Sequence, residues 1–255
     1  MLEKRGKKAH VIGTFVVIGI VIIAVVLLGF LLYRYVVPQT KTDTKEILET
    51  KVYMEDKIQE ATYDVLYLIG EQGGYVEVPQ KSLITEMKSI SYSLYFNEKQ
   101  LPSKEDLEKQ ISDYIKSSLV FYLMDDLQEN ESVLKLNNFT VILDWNSLDV
   151  ETGLEKNTVT VNINLISKIV ASNEVLLEEY STTVNCPLSY FLEIADQIVE
   201  MELKNTPINE KFFSDRGVSA NLLPIDSLRT VYQLKKFDPV NDMDYVFNLA
   251  IIKND

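Results

Sequence analysis

The chain has 255 residues, a formal net charge of −13, one cysteine and one histidine. A surface that acidic repels nucleic acid and anionic headgroups, so neither nucleic acid nor peripheral lipid is an expected partner. With one cysteine, Cys186, an internal disulfide framework and a cysteine-based zinc site are excluded, and because the only histidine, His10, precedes the long apolar run, Ser-His-Asp and Cys-His catalysis are excluded in the domain that follows it.

Residues 1–10 form a short basic segment, with Lys4, Arg5, Lys7 and Lys8 against Glu3. Residues 11–36 read as a transmembrane helix, because the run from Val11 to Tyr33 contains no charge. A hydrocarbon core roughly 30 Å thick needs about 20 apolar residues at 1.5 Å each. Tyr33 and Tyr35 suit the outer interface, Arg34 can snorkel to the headgroups, and Pro38 stops or bends the helix. The run ends in Leu31-Leu32-Tyr33-Arg34 and not in the small residues of a cleavage site, which favours a retained anchor over a removed signal. Arg34, Lys41 and Lys45 follow the span, but the four basic residues before it are denser. The orientation read from this bias is N-terminus cytoplasmic and C-terminal domain outside. The protein is thus expected to be integral to the cell membrane with a single span. After the linker 37–45, residues 46–255 form the expected extracytoplasmic domain. It holds two possible glycosylation acceptors, Asn130 and Asn138, each in an Asn-X-Ser/Thr sequence.

Glu46 to Ile69 predicts a helix with a narrow apolar stripe, Ile47, Met54, Ala61 and Leu68 every seven residues with Ile58 and Val65 between. Packing on the chain's own domain and self-association beside the membrane both fit that stripe. Gly70 and Gly73-Gly74 end the helix, and Tyr75 to Val78 predicts a short strand stopped by Pro79. A second strand is expected over Ser89 to Phe96. Ser103, with Asp106 at the capping-box position, opens a helix whose apolar face is Leu107, Ile111, Tyr114/Ile115, Leu119 and Tyr122/Leu123. It ends before the acidic linker Asp125 to Ser132.

Alternation predicts strands over Phe139 to Trp145 and Val159 to Leu165, with the polar stretch Asn146 to Asn157 as the turn between them. One wet and one buried face are typical of an antiparallel sheet. A third strand covers Val175 to Val184, and Pro187 opens a further helix. Asp215-Arg216-Gly217 is a turn, Val231 to Leu234 a candidate strand, and Tyr245 to Ile252 the closing strand. The fold class is α+β, with a mainly antiparallel sheet and about three helices behind one transmembrane helix. One compact domain is expected, the alternative being a split near Asp125 to Ser132.

The helix ending Leu68-Ile69-Gly70-Glu71-Gln72-Gly73-Gly74-Tyr75-Val76, with Pro79 after it, is the most distinctive stretch. With the basic start, Leu101-Pro102-Ser103, Val184-Asn185-Cys186-Pro187-Leu188 and Tyr245 to Ala250, it resembles a functionally uncharacterised family of single-span membrane proteins of DPANN archaea. The family's Gln-Gly-Gly-Tyr motif falls on Gln72, Gly73, Gly74 and Tyr75 and is taken as structural, and no catalytic residue carries over. Members often carry a cysteine in each of two helices, at places occupied here by Lys57 and Tyr122. If those cysteines pair in relatives, the two helices lie side by side. The family N-terminus also resembles archaeal type IV pilin-like (class III) precursors, with Lys8, Ala9 and His10 at the possible prepilin-type processing site and histidine in glutamine's usual place.

Other candidates read as structural. Asp238 to Asp244 gathers oxygen ligands but lacks the glycine and distal glutamate of a calcium loop. Gly73-Gly74 follows a helix and no Lys-Ser/Thr comes after it, unlike a phosphate loop. Asp125-Asp126 fits a solvated helix end, Cys186 a buried strand-end thiol, and Tyr63, Tyr67, Tyr92 and Tyr95 either a binding surface or core edges. No catalytic, cofactor-binding or metal residue is assigned. The expected function is a non-enzymatic, membrane-anchored cell-surface protein that binds or scaffolds, with a protein partner or self-association. The alternatives are a pilin-like subunit assembling through its apolar helix and an extracytoplasmic enzyme domain.

Overall fold

The computed structural model describes residues 45–85, 88–128, 132–171, 173–238 and 242–253. The span expected over 11–36 lies outside the described residues. No described helix is long and apolar enough to cross a membrane.

Residues 45–71 form α1, about 40 Å long at 1.5 Å per residue. Of its expected stripe, Met54, Ile58, Ala61 and Val65 are fully buried in the chain's own core, while Ile47 and Leu68 are half-buried and Ile69 takes the buried place next to Leu68; the self-packing alternative holds for that face. The helix closes on Gly73 at φ +76°, with the Gly74 N–H donating to Ile69 O at 2.8 Å in a Schellman-type cap. Residues 75–78 are not the expected strand. Their polar groups go elsewhere: Val76 N–H donates to Gln110 Oε1 at 2.9 Å and the Tyr75 hydroxyl to Gln100 O at 2.7 Å.

Next come β1 Ser82–Ile84, β2 Ser89–Tyr95 and β3 Glu98–Lys99. The helix α2, Lys104–Leu123, has the capping box expected at Ser103 and Asp106; of its expected apolar face it buries Leu107, Ile111, Ile115, Leu119 and Leu123 and leaves Tyr114 and Tyr122 half-buried. It is followed by β4 Leu127–Gln128, β5 Val133–Leu136 and β6 Phe139–Leu143. A single 3-10 turn, Trp145–Ser147, removes Trp145 from the expected strand. Then β7 Asp149–Leu154 occupies much of the stretch expected to be a turn. Its Val150, Thr152 and Leu154 stand opposite Ile163, Val161 and Val159, a pairing that outweighs the polar residues between them. The long strands β8 Thr158–Val170 and β9 Glu174–Asn185 form a hairpin. They lead to α3 Leu188–Leu203, the short α4 Glu210–Ser214, β10 Ser219–Pro224, β11 Arg229–Asp238 and β12 Met243–Ile252.

The α+β class stands, but the strands build two six-stranded sheets, and four helices are described where about three were expected. The first sheet runs β1-β2-β12-β11-β10 with β3 beside β2; its β2–β12 pair is parallel and its other pairs antiparallel. The second runs β4-β5-β6-β8-β7, with β9 on the other side of β8, and is wholly antiparallel. One buried cluster joins α1, α2, α3 and residues of both sheets, including Leu94, Val161, Leu234 and Phe247. The helix α1 touches both sheets. Near its start Glu55 accepts from the β9 backbone, and at its end Gly70 lies against Val246 of β12.

Candidate functional site: an acidic groove along the β9 edge

The largest cavity, about 950 Å³, is an open groove between the first turns of α1, the β9 edge and the tip of the β5–β6 hairpin. Each wall follows from local sequence. Leu48 and Val52 are one helical turn apart, off the buried stripe, and remain 59% and 58% exposed. The hairpin tip supplies Leu136 and Asn137, where Asn137 takes φ +47°, a left-handed value that asparagine tolerates. The floor is Ser181 to Thr183 of β9.

Among the described residues β9 has a strand partner only on its β8 side. Ser181 stands opposite Asn162, and its hydroxyl donates to Asn162 Oδ1 at 2.7 Å across the pair. Its backbone N–H points the other way, to Glu55 Oε1 at 3.3 Å. Backbone groups alternate between the two edges of an antiparallel strand. By that parity, the N–H and C=O of Glu179 and Thr183 also face the open edge. The acidic side chains of the groove are Glu49, Glu55 and Asp56, and none of its lining residues is basic. Lys45 and Lys51 reach Glu49 and Glu55 at 3.3 and 3.8 Å, but these are exposed i,i+4 pairs that water and salt screen. Tyr53 closes the end of the groove, donating to Asp126 Oδ2 at 2.6 Å. Burial first, and then that carboxylate, push its hydroxyl well above the usual tyrosine range. The groove can therefore offer backbone hydrogen bonds, apolar contact and negative charge.

The residues singled out in the sequence lie elsewhere. Lys8, Ala9, His10 and Asn130 fall outside the described residues. Asn138 is exposed at the β5–β6 tip, beside the groove. Gln72, Gly73, Gly74 and Tyr75 form a packed joint. A Cβ on Gly70 would sit 2.1 Å from Val246 O, and one on Gly74 would meet Pro102 at 2.9 Å. Pro79 follows in irregular chain that leads to β1. Asp126 accepts from Tyr53 at 2.6 Å and Asp64 from Tyr122 at 2.7 Å, so α1 and α2 are neighbours, with Tyr122 meeting Asp64, about two turns beyond Lys57.

Cys186 is buried at the end of β9, and burial pushes its thiol up to about 12. Asp238 is buried at the end of β11, and among the described residues no metal-binding group of three or more acidic, histidine or cysteine side chains occurs. The four tyrosines do not act as one set. Tyr92 and Tyr95 pack against each other at 5.5 Å on one face of the first sheet, Tyr63 packs on the main core, and Tyr67 is exposed on α1. No family model, curated protein or solved structure matches the chain.

Sequence reasoning missed the groove. Its one signal was the pair Leu48 and Val52, apolar residues on the face of α1 opposite the stripe.

Proposed function

We propose that this chain is a membrane-anchored, single-pass cell-surface protein with a non-enzymatic binding or scaffolding role, and that the groove is its binding face. Membership of the DPANN single-span family is proposed on the residues that carry the resemblance, and the N-in, C-out orientation on the basic segment before the span. The observation that carries the binding role is the groove itself: an open strand edge and exposed leucine and valine side by side, a few residues after the expected membrane linker.

The test is photo-crosslinking of the full-length chain in native membranes, with the reactive group at position 52 in the groove or at position 67 on the same helix. The expected result is a discrete protein adduct from position 52 that is absent from position 67 and lost on Leu48→Glu. Equal adducts at both positions, or none at 52, would overturn the reading.

A further inference from the structure

Resting on the reading of the groove as a binding face, we infer that its occupant is an extended peptide segment with alternating apolar and basic side chains, added as a strand along β9. Three observations converge on that chemistry.

The first is the backbone. β9 runs for 12 residues and, among the described residues, has a strand on one side only. An unpaired edge is a template for another strand, and folded proteins normally blunt it with charge, a bulge or a covering element. Here the blunting is partial. Glu55 reaches Ser181 N–H with a carboxylate oxygen, while the parity of the strand directs the groups of Glu179 and Thr183 to the same edge. Glu55 thus guards one hydrogen-bonding position and leaves its neighbours available. An incoming strand would offer its own carbonyl to Ser181 and release Glu55.

The second is side-chain periodicity. Alternate residues of an added strand point to opposite faces. One set can lie against Leu48 and Val52, which are exposed among the described residues, and against the half-buried Leu136 beside them. The other set points to the opposite face, which exposed Glu179 shares with Ser181 and Thr183.

The third is charge. Glu49, Glu55 and Asp56 line the groove and no basic residue does. Exposed Glu178 and Glu179 extend the negative character along β9. Glu55, once displaced from Ser181, keeps only its exposed Lys51 contact at 3.8 Å, which an arriving lysine can share or replace. An acidic peptide would meet repulsion at every one of these positions, which is how a groove of this kind would reject wrong partners.

The experiment uses the full-length chain in non-ionic detergent and labelled eight-residue peptides followed by fluorescence anisotropy. The probes are alternating Val-Lys, alternating Val-Glu, and the Val-Lys peptide N-methylated on alternate amides to remove strand hydrogen bonds. The expected result is saturable binding of Val-Lys, at least tenfold weaker for Val-Glu and for the N-methylated peptide. Binding should also fall at least tenfold in the double variant Glu55→Lys, Asp56→Lys. Hydrogen exchange should slow at the Glu179 and Thr183 amides when Val-Lys is bound. Equal affinity for Val-Lys and Val-Glu, indifference to N-methylation, or no saturable Val-Lys binding would each overturn strand addition. A position-52 adduct in membranes combined with any of these would overturn this inference alone. Loss of the adduct would overturn the binding-face reading beneath it.

Discussion

At the scale of single residues, the Gly70–Gly74 joint shows what the family-like motif does. The end of α1 runs so close to β12 that a methyl group on Gly70 would overlap Val246 O, a backbone atom that no rotamer change can move. Gly70→Ala should therefore cost about 3 kcal/mol in equilibrium urea unfolding, the upper range for overpacking. Gly153→Ala is the control, since nothing lies within 4 Å of its added Cβ and its φ is not positive. It should be neutral or stabilising by up to about 1 kcal/mol. Equal effects at the two sites would contradict the packed joint. Cys186 makes a second prediction. Its pKa rises from 9.0 to about 12 on folding, mainly by burial. Below pH 9 the thiol is protonated in both states and has no effect on the balance. Above it the unfolded chain ionises and the folded chain does not, so stability falls by about 1.4 kcal/mol per pH unit toward pH 12. The stability–pH slope above pH 9 should be shallower in Cys186→Ala, and an unchanged slope would mean that the thiol titrates freely when folded.

At the scale of elements, legibility followed periodicity. The helices α1, α2 and α3 and the strands β8 and β12 bury one clean face each, and their sequences show it. β7 was read as a turn because Asp149, Glu151 and Gly153 dominate its exposed face, while Thr152 weakens the buried one. β10 gave no signal because it is exposed along nearly its whole length. The expected strand at 75–78 was β-prone by composition, yet α2 takes its backbone donor through Gln110. The two-sheet arrangement depends on the parallel pairing of β12 with β2, about 150 residues apart, and no local pattern encodes it. The groove was illegible for the same reason, because α1 and β9 meet across more than a hundred positions. The best-read element offers a direct check. Ser103 accepts from Asp106 N at 3.0 Å, and Asp106 returns a bond to Ser103 N at 3.2 Å. Ser103→Ala should lower stability by about 1 kcal/mol. The hydrogen bonds from Ser103 hold the Asp106 carboxyl below its ordinary pKa, so its contribution is present at neutral pH and fades as the carboxyl protonates in acid. The gap between wild type and Ser103→Ala should therefore narrow at low pH without closing, since the bond from Asp106 N–H to the Ser103 hydroxyl does not titrate; a gap constant across pH would remove the Asp106 carboxylate from the cap.

At the scale of the whole molecule, α1 is the member that links the expected anchor to the domain. Its first turns carry the groove wall, its middle packs into the common core, and its last turn closes on β12. A load or a partner at the groove therefore acts on the same rigid helix that follows the membrane linker. This geometry bears on the choice between a plain anchor and a pilin-like subunit. In a pilin-type filament the apolar helix is the assembly interface, and processing at Ala9-His10 would leave a mature chain beginning with His10. In a tethered binding protein the apolar helix only holds the domain at the membrane, and the recognition surface is free to sit on the domain. In the proposed tethered arrangement the domain has its own core and a separate face to offer. The intact mass of the protein from native membranes should then correspond to a start at Met1 or Leu2. A mass beginning at His10 would move recognition from the groove to the span, and filament assembly would replace peptide binding as the first activity to test.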